Sequence, residues 1–220
     1  MASSTQKVRF FLMFFKLRLV NAGLALLPAA KLRIFEQLES LIYFGCTFIA
    51  MSRPLPNECD PFYYHYIDLT EAAEAPHLPA RYKTPFKIFF SALPPSKASY
   101  AYAEGKWTLK QVLQHLLDVE RVFVYRLLWI VRGDRQPLPG FDENAFADQA
   151  PAHHRTLQSL IEEWLLLRES TDHFIAQLTT QELAMWGTAN GSTISAKALC
   201  FIIYGHALHH MNIISERYLP

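Results

Sequence analysis

Two histidines near the end of the chain have the spacing of metal ligands. His206 and His210 are four residues apart within the sequence GHALHH, in an apolar run from Ile194 to Tyr218. On an α-helix this spacing places both rings on one face, one turn apart, where two imidazoles can bind one divalent metal ion. His209 offers a second pairing with His206. We prefer His210, because the four-residue spacing keeps the two rings closer together around the helix axis.

A third histidine, His115, lies in the middle of a second helical pattern. It stands beside Leu116 and Val119 on the edge of the apolar stripe, so it should face the core. Three histidines from two helices would leave a coordination position open, as in catalytic rather than structural metal sites. Burying three imidazoles costs free energy unless each has a partner, and a metal ion is a partner for all three. A merely structural role for the three histidines stays open.

Other residues that could take part in metal binding or catalysis show weaker sequence patterns. Asp118 could accept a hydrogen bond from an imidazole, although an ordinary solvated charge is the simpler interpretation. His153 and His154 belong to a predicted loop. No glycine-rich phosphate loop and no pair of carboxylates at catalytic spacing occurs. The aromatic residues at helical spacing are expected in the core rather than in a ligand cage (Trp107, Phe123, Trp129 and Trp164).

The segment that carries His115 is the clearest predicted helix. Thr108 and Gln111 have the form of a capping box, in which each side chain bonds the backbone N–H of the other residue. Apolar residues then recur at helical spacing as far as Ile130, and the pattern ends at Gly133. This helix would hold His115 against the core.

Three further helices complete the expected fold. The first lies within Asp68–Leu93 and is broken by prolines, the third runs from about Thr156 to Leu178, and the fourth runs from about Ile194 to Tyr218. The segment Met51–Tyr66, rich in proline and aromatic residues, is predicted to be an extended arm. No segment alternates for long enough to need a sheet. Long helices joined by short loops predict an all-α protein, an antiparallel four-helix bundle.

Composition excludes several classes of protein. The chain has 220 residues, of which 51% are hydrophobic and 19% are charged, so it can bury a sizeable core. Its 21 basic and 20 acidic residues give a net charge of +1 without a basic cluster, which argues against a nucleic-acid partner. The three cysteines form no paired motif, which fits a reducing compartment such as the cytoplasm and argues against a thiolate zinc site.

The first fifty residues differ from the rest. Residues 7–18 alternate basic with aromatic or apolar side chains, and two short apolar stretches follow. Neither stretch reaches the roughly 18 to 20 uncharged residues that a bilayer span needs. Three interpretations stay open: a start site placed too early, with Met51 as the true initiator; an amphipathic anchor that binds a membrane peripherally; or a degenerate targeting segment. We divide the chain into an N-terminal extension, 1–50, and a bundle, 51–220.

Several segments together resemble one protein family. Residues 102–108 (YAEGKWT) and 114–121 (QHLLDVER) resemble the second helix of the DinB-like superfamily. Residues 137–142 and 187–191 resemble its interhelical loops, and 205–210 resembles its metal-binding fourth helix. The resemblance covers roughly Met51 to Pro220, which favours Met51 as the start, whereas the proline-broken first helix departs from the family pattern.

This resemblance implies a four-helix bundle that binds a divalent metal through His115, His206 and His210, often as a homodimer. Zinc is the default, although imidazole ligands also suit nickel, iron and manganese. Family members include metal-dependent enzymes that transfer a low-molecular-weight thiol to a small electrophile, and some hydrolases or isomerases. The expected function is therefore transfer of such a thiol to a small electrophilic substrate, or its hydrolysis. The alternative is a non-catalytic metal-binding bundle of a stress response.

Overall fold

The computed structural model describes residues 52–150 and 152–220 of the chain. The predicted N-terminal extension, 1–50, lies outside these described residues. Within them the chain forms seven α-helices and one β-hairpin. The elements in chain order are α1 (Tyr64–Asp68), α2 (Leu78–Ser91), α3 (Leu109–Val131), α4 (Glu143–Gln149), α5 (Leu157–Ala176), α6 (Thr180–Leu183), β1 (Trp186–Ala189), β2 (Ser192–Ser195) and α7 (Ala196–Arg217).

The four long helices α2, α3, α5 and α7 form a four-helix bundle, which confirms the predicted fold class. Two pairs of neighbours run antiparallel. Near the start of α3 the Trp107 carbonyl accepts a hydrogen bond from Tyr218 at the end of α7. The Phe90 ring at the end of α2 lies 4.1 Å, between centroids, from the Trp164 ring of α5, whereas Lys83, nearer the start of α2, pairs with Glu169, farther along α5.

The helices α3 and α5 run parallel to each other, in contrast to the antiparallel arrangement predicted from the sequence. Lys110 at the start of α3 donates to the carbonyl of Arg155, just before α5, at 3.1 Å. Farther along both helices, Glu120 accepts from Thr171 at 2.7 Å. Parallel neighbours need a connection that crosses back along the bundle, and residues 132–156, which include α4, provide it.

The helix α3 begins and ends where the sequence predicts. The Thr108 side chain accepts from the Gln111 backbone N–H and the Gln111 side chain accepts from the Thr108 backbone N–H, so the capping box is confirmed. A capping side chain of this kind stabilises a helix by about 1 kcal/mol. The apolar stripe of α3 is buried, and His115 is buried within it. The third predicted helix is also confirmed as α5, with Thr156 as its N-cap.

The prediction that prolines break the first helix was wrong for two of them. Pro79 lies in the first turn of α2, where its missing N–H would have no helical acceptor. Pro85 lies inside α2 and removes one hydrogen bond without ending the helix. The buried side chains of Tyr82, Phe86 and Phe90 hold both halves of α2 against the core. Pro76 does precede α2, in a separate 3₁₀ turn.

The arm rich in proline and aromatic residues was predicted to be extended, but it is partly helical. Its residues 61–68 form a 3₁₀ turn followed by α1. The arm packs against α7 of the same chain. At its start, buried Glu58 pairs with Lys197 at 2.9 Å and accepts from the Ser195 hydroxyl at 2.6 Å. Farther along, the Tyr66 backbone lies directly on Gly205. These contacts place the aromatic side chains of the arm beside the histidines of α7.

A β-hairpin precedes α7, whereas the sequence pattern predicted no sheet. Its strands pair antiparallel from Trp186 opposite Ser195 to Ala189 opposite Ser192. Asn190 and Gly191 form the turn, both with positive φ, 51° and 76°. This pair favours the tight turn whose twist matches two antiparallel strands. Because Ile194 belongs to β2, α7 begins at Ala196 rather than at Ile194.

The core lies between the four long helices and includes the fully buried rings of Phe86, Trp164 and Tyr204. Cys59 and Cys200 are both buried and free of disulfides, and Cys46 lies outside the described residues. Among the helices that the structure describes, none has both the length and the apolar character that a membrane crossing requires.

Candidate metal centre

The three histidines singled out from the sequence meet in one buried cluster. The Nε2 atom of His206 lies 3.2 Å from Nε2 of His115 and 3.1 Å from Nε2 of His210. The side chains come from two helices, since His115 belongs to α3 and the other two belong to α7. Within the part of the chain that the structure describes, no carboxylate or thiol joins these three as a further candidate ligand.

The bundle geometry explains this convergence. The helices α3 and α7 pack against each other in opposite directions, which places the first half of α3 beside the second half of α7. One turn of α7 separates His206 from His210, so both rings point at His115 across the interface. His209 is half-buried beside α1, with its ring 5.3 Å, between centroids, from Tyr66, and its nitrogens are not part of the cluster.

Aromatic rings surround the cluster. Trp107 covers His115 with 4.8 Å between ring centroids, and Phe123 and Tyr66 lie 5.7 Å and 5.4 Å from the His206 ring. Trp107 lies just before α3, Phe123 two turns beyond His115 on α3, and Tyr66 on α1. The three rings limit the access of water to the nitrogens of the cluster.

Burial controls the charge of the histidines. It lowers the pKa of His115 to about 4 from an ordinary value near 6.5, and the nearby His209 lowers it further. Burial also lowers the pKa of His206 and of His210 well below the ordinary value, and the neighbouring histidines act in the same direction. All three imidazoles are therefore neutral at pH 7, which is the protonation state in which histidine binds a metal ion.

The donor set fits a divalent cation. A neutral imidazole nitrogen carries either one hydrogen or one lone pair, so Nε2 of His206 can form one good hydrogen bond but has two nitrogen neighbours. A cation at the point of convergence would accept a lone pair from all three nitrogens. Metal–nitrogen bonds of about 2.0–2.1 Å at roughly tetrahedral angles bring such nitrogens to spacings of this size.

The other residues considered from the sequence lie elsewhere. Asp118 accepts from Gln114 at 3.0 Å and faces Arg121, so it supports no histidine of the cluster. His153 and His154 are exposed in a 3₁₀ turn, in agreement with the predicted loop. Trp164 and Phe123 are buried in the core, while Trp107 and Trp129 are partly buried against it.

Two buried polar groups near the bundle centre were not recognised from the sequence. Glu120 of α3 pairs with Arg168 of α5 at 2.5 Å and also accepts from Thr171. Asp172 of α5 accepts from the Tyr204 hydroxyl of α7. The sequence carried one signal for the first of these groups. Glu120 lies five residues after His115 on a largely apolar helix, and a carboxylate is seldom buried unless it is paired.

Comparison with known proteins agrees with this architecture. A family model of the DinB superfamily matches residues 86–214, which include all three histidines. No curated protein sequence matches the chain. Among solved structures, the chain is similar to YfiT from Bacillus subtilis, described as a probable metal-dependent hydrolase with an unusual four-helix bundle topology. The TM-score is 0.54 at 18% identity, over 76% of this chain and 91% of that one, and at this identity the similarity shows the fold alone.

Proposed function

The chain belongs to the DinB superfamily, and on that premise we propose that it is an enzyme whose divalent metal ion is held by His115, His206 and His210. The observation that carries this proposal is the convergence of three neutral, buried Nε2 atoms at 3.1 and 3.2 Å. Zinc is the ion we expect, because imidazole nitrogens and a small coordination number suit it. A homodimer acting in the cytoplasm forms part of the same proposal.

When bound, a divalent cation lowers the pKa of a water molecule or thiol beside it and so supplies a nucleophile at neutral pH. The side chains of the protein set the conditions for this chemistry. Three neutral imidazoles leave the charge of the cation uncompensated, and no carboxylate among the described residues joins the cluster. Trp107 and Phe123 hold His115 and His206 in place and keep bulk water away.

We propose that the nucleophile attacks a small electrophilic substrate. A low-molecular-weight thiol is one candidate and water is the other. The family resemblance supports thiol transfer, and the description of YfiT as a probable metal-dependent hydrolase supports the use of water. The alternative, a non-catalytic metal-binding bundle of a stress response, predicts metal binding without turnover.

Metal binding is tested by elemental analysis of freshly purified protein and of alanine variants. We expect about one divalent ion per chain in the wild type and a loss of at least tenfold in affinity for His115→Ala, His206→Ala and His210→Ala. His209→Ala is the matched control on the same helix, and it should keep full stoichiometry. Loss of the ion in His209→Ala with retention in His210→Ala would show that the ligand set is wrong.

Activity is tested with zinc-loaded protein. A panel of thiols with a chlorinated dinitrobenzene tests thiol transfer, and a panel of activated esters tests hydrolysis. We expect turnover in one of the two assays that His206→Ala reduces by two orders of magnitude or more, because this substitution removes the ion. Turnover unchanged in His206→Ala would contradict the mechanism, and metal binding without turnover in either assay would favour the binding bundle.

A further inference from the structure

A narrow cleft lies on the same helix interface as the metal centre. Phe123 and Arg126 of α3, Ile202 of α7, Tyr63 of the arm and the hairpin residue Ser192 are among the residues that line it. Ile202 precedes His206 by four residues, so the two side chains lie on one face of α7, about 6 Å apart along the helix axis. The cleft therefore lies one helical turn from a proposed metal ligand.

Arg126 gives this cleft an unusual charge. Its side chain is buried, with only 4% of its surface exposed. The Nη2 atom donates to the Pro139 carbonyl at 2.7 Å, and the guanidinium carbon lies 6.0 Å from the Phe123 ring centroid and 5.8 Å from that of Phe141. The guanidinium therefore lies near two aromatic rings, and the Tyr63 side chain is also close to it. None of these groups is a counter-ion for its positive charge.

The other buried cations in the described part of the chain show what Arg126 lacks. Arg168 pairs with Glu120 at 2.5 Å, and Lys197 pairs with Glu58 at 2.9 Å. Over the same described residues, Arg126 forms no ion pair with a carboxylate within 4.0 Å. Burial accordingly lowers the pKa of Arg126, although arginine keeps its charge in proteins. A buried charge without a counter-ion is unfavourable even when it donates hydrogen bonds, and a bound anion would offset that cost.

The surroundings of Arg126 indicate which anion fits. A guanidinium binds a carboxylate through two parallel hydrogen bonds in one plane. Asp60 also lines the cleft, where it accepts hydrogen bonds from the Phe62 backbone N–H and the Ser192 hydroxyl. Its negative charge would repel a second anionic charge, which disfavours a phosphate dianion relative to a singly charged carboxylate.

We propose that Arg126 binds the carboxylate group of a small molecule that reaches the metal centre, so that the substrate is a monocarboxylate. This inference rests on the proposed function, because it assigns a chemical class to the substrate of that site. The carboxylate would occupy the cleft beside Arg126, with Phe123 between it and His206. The reacting end of the molecule would extend along the α3–α7 interface toward the histidine cluster.

The test compares 3-phenylpropionate with its neutral amide, 3-phenylpropionamide, by NMR titration of the full-length protein. We expect the wild type to bind the carboxylate at least tenfold more tightly than the amide and more tightly than phenylphosphonate. In Arg126→Met the preference for the carboxylate over the amide should fall to about one. The matched control is Arg132→Met, which removes an exposed arginine directly after the same helix. Arg132 pairs with Glu182, and its variant should keep the preference. If Arg126→Met does not fold, Arg126→Lys replaces it in the test. Lysine keeps the positive charge but cannot form two parallel hydrogen bonds, so this variant should retain a reduced preference.

Each titration is made on both chelator-treated and zinc-loaded protein. A preference that depends on Arg126 in the chelator-treated protein supports this inference even if no enzymatic activity is found. Equal affinities for acid and amide in the wild type would overturn it, and so would tighter binding of the phosphonate. A preference seen only with zinc and insensitive to Arg126 would mean that the carboxylate ligates the ion, which would overturn the inference and leave the metal-binding proposal intact.

Discussion

At the scale of single residues, the neutral state of the buried histidines makes the stability of the metal-free protein depend on pH. The pKa of His115 is about 4 in the folded protein, compared with about 6.5 for an ordinary histidine. Between these values the unfolded chain binds a proton that the folded chain excludes. The free energy of unfolding therefore has its full value above pH 6.5 and falls as the pH drops toward 4.

For His115 alone this shift corresponds to a loss of about 3 kcal/mol across that range. The measurement is urea unfolding of the chelator-treated protein at several pH values from 7.5 to 4. His115→Gln should reduce the pH dependence, because glutamine does not titrate. The same substitution at the exposed His154 is the control, and equal pH dependence in the two variants would contradict the prediction.

The buried pair of Glu120 and Arg168 joins α3 to α5, and removing one of the two side chains should lower the free energy of unfolding. Burial raises the pKa of the Glu120 carboxyl, while the facing Arg168 guanidinium lowers it. Glu120→Ala would leave the guanidinium buried without its carboxylate, at a cost of about 3–5 kcal/mol in the free energy of unfolding.

The matched control for Glu120→Ala is Glu169→Ala, which breaks the exposed pair with Lys83. This change should cost far less than Glu120→Ala, because water screens both charges. Urea unfolding measures both variants. Similar losses in the two would show that the buried pair does not join the helices as proposed.

These residues also show what a sequence can and cannot reveal at this scale. The metal-ligand spacing of His206 and His210 depends only on the pitch of one helix, so it could be recognised directly. The pairing of Glu120 with Arg168 and the isolation of Arg126 depend on the register between helices. That register is set by packing between segments distant in sequence, and a single sequence does not reveal it.

At the scale of the elements, the close contact between α1 and α7 depends on Gly205. A Cβ atom added at this position would lie 2.0 Å from the carbonyl oxygen and 2.4 Å from the carbonyl carbon of Tyr66. Glycine inside a helix normally costs about 1 kcal/mol relative to alanine. At this position glycine should instead be more stable than alanine, because the added Cβ would meet backbone atoms of Tyr66, which cannot rotate away.

We expect Gly205→Ala to lower the free energy of unfolding by about 1–3 kcal/mol, as overpacking does in other cores. It should also move Tyr66 away from His206 and so weaken metal binding. Urea unfolding and metal titration measure the two effects. Gly187→Ala is the comparison, since the added Cβ would meet side-chain atoms of Ile130 rather than backbone atoms. A stabilised Gly205→Ala would contradict the observed packing.

The elements that could be predicted are those that depend on residues close together in the sequence. The starts of α3 and α5 were predictable because Thr108 and Thr156 cap them within one turn. The hairpin was missed because its strands have only four residues each, although Asn190-Gly191 is a strong turn signal. Pro85 was misjudged because the packing of Phe86 and Phe90 outweighs one lost hydrogen bond.

At the scale of the whole molecule, the chain direction in the bundle could not be derived from the four helical patterns. Apolar stripes show that helices pack together, but they do not show which neighbours run parallel. The long connection between α3 and α5 permits the crossover, and the pairing of Lys110 with Arg155 and of Glu120 with Thr171 reveals it. The antiparallel packing of α3 on α7 is the part of this arrangement that forms the metal centre.

The last prediction concerns the boundary at Met51. The apolar core described by the structure extends from Cys59 to Tyr218, and the arm that begins this region is held to α7 through Glu58 and Lys197. We therefore expect a protein that begins at Met51 to be helical by circular dichroism, to unfold cooperatively and to bind one divalent ion.

A shorter protein that begins at Glu71 is the control for this boundary. It lacks Glu58 and α1, so it removes the ion pair to Lys197 and the backbone that covers Gly205. We expect it to unfold at a lower urea concentration and to bind the ion more weakly than the protein that begins at Met51. Aggregation of the Met51 protein, with the full chain remaining folded under the same conditions, would show instead that residues 1–50 belong to the structural core of the bundle.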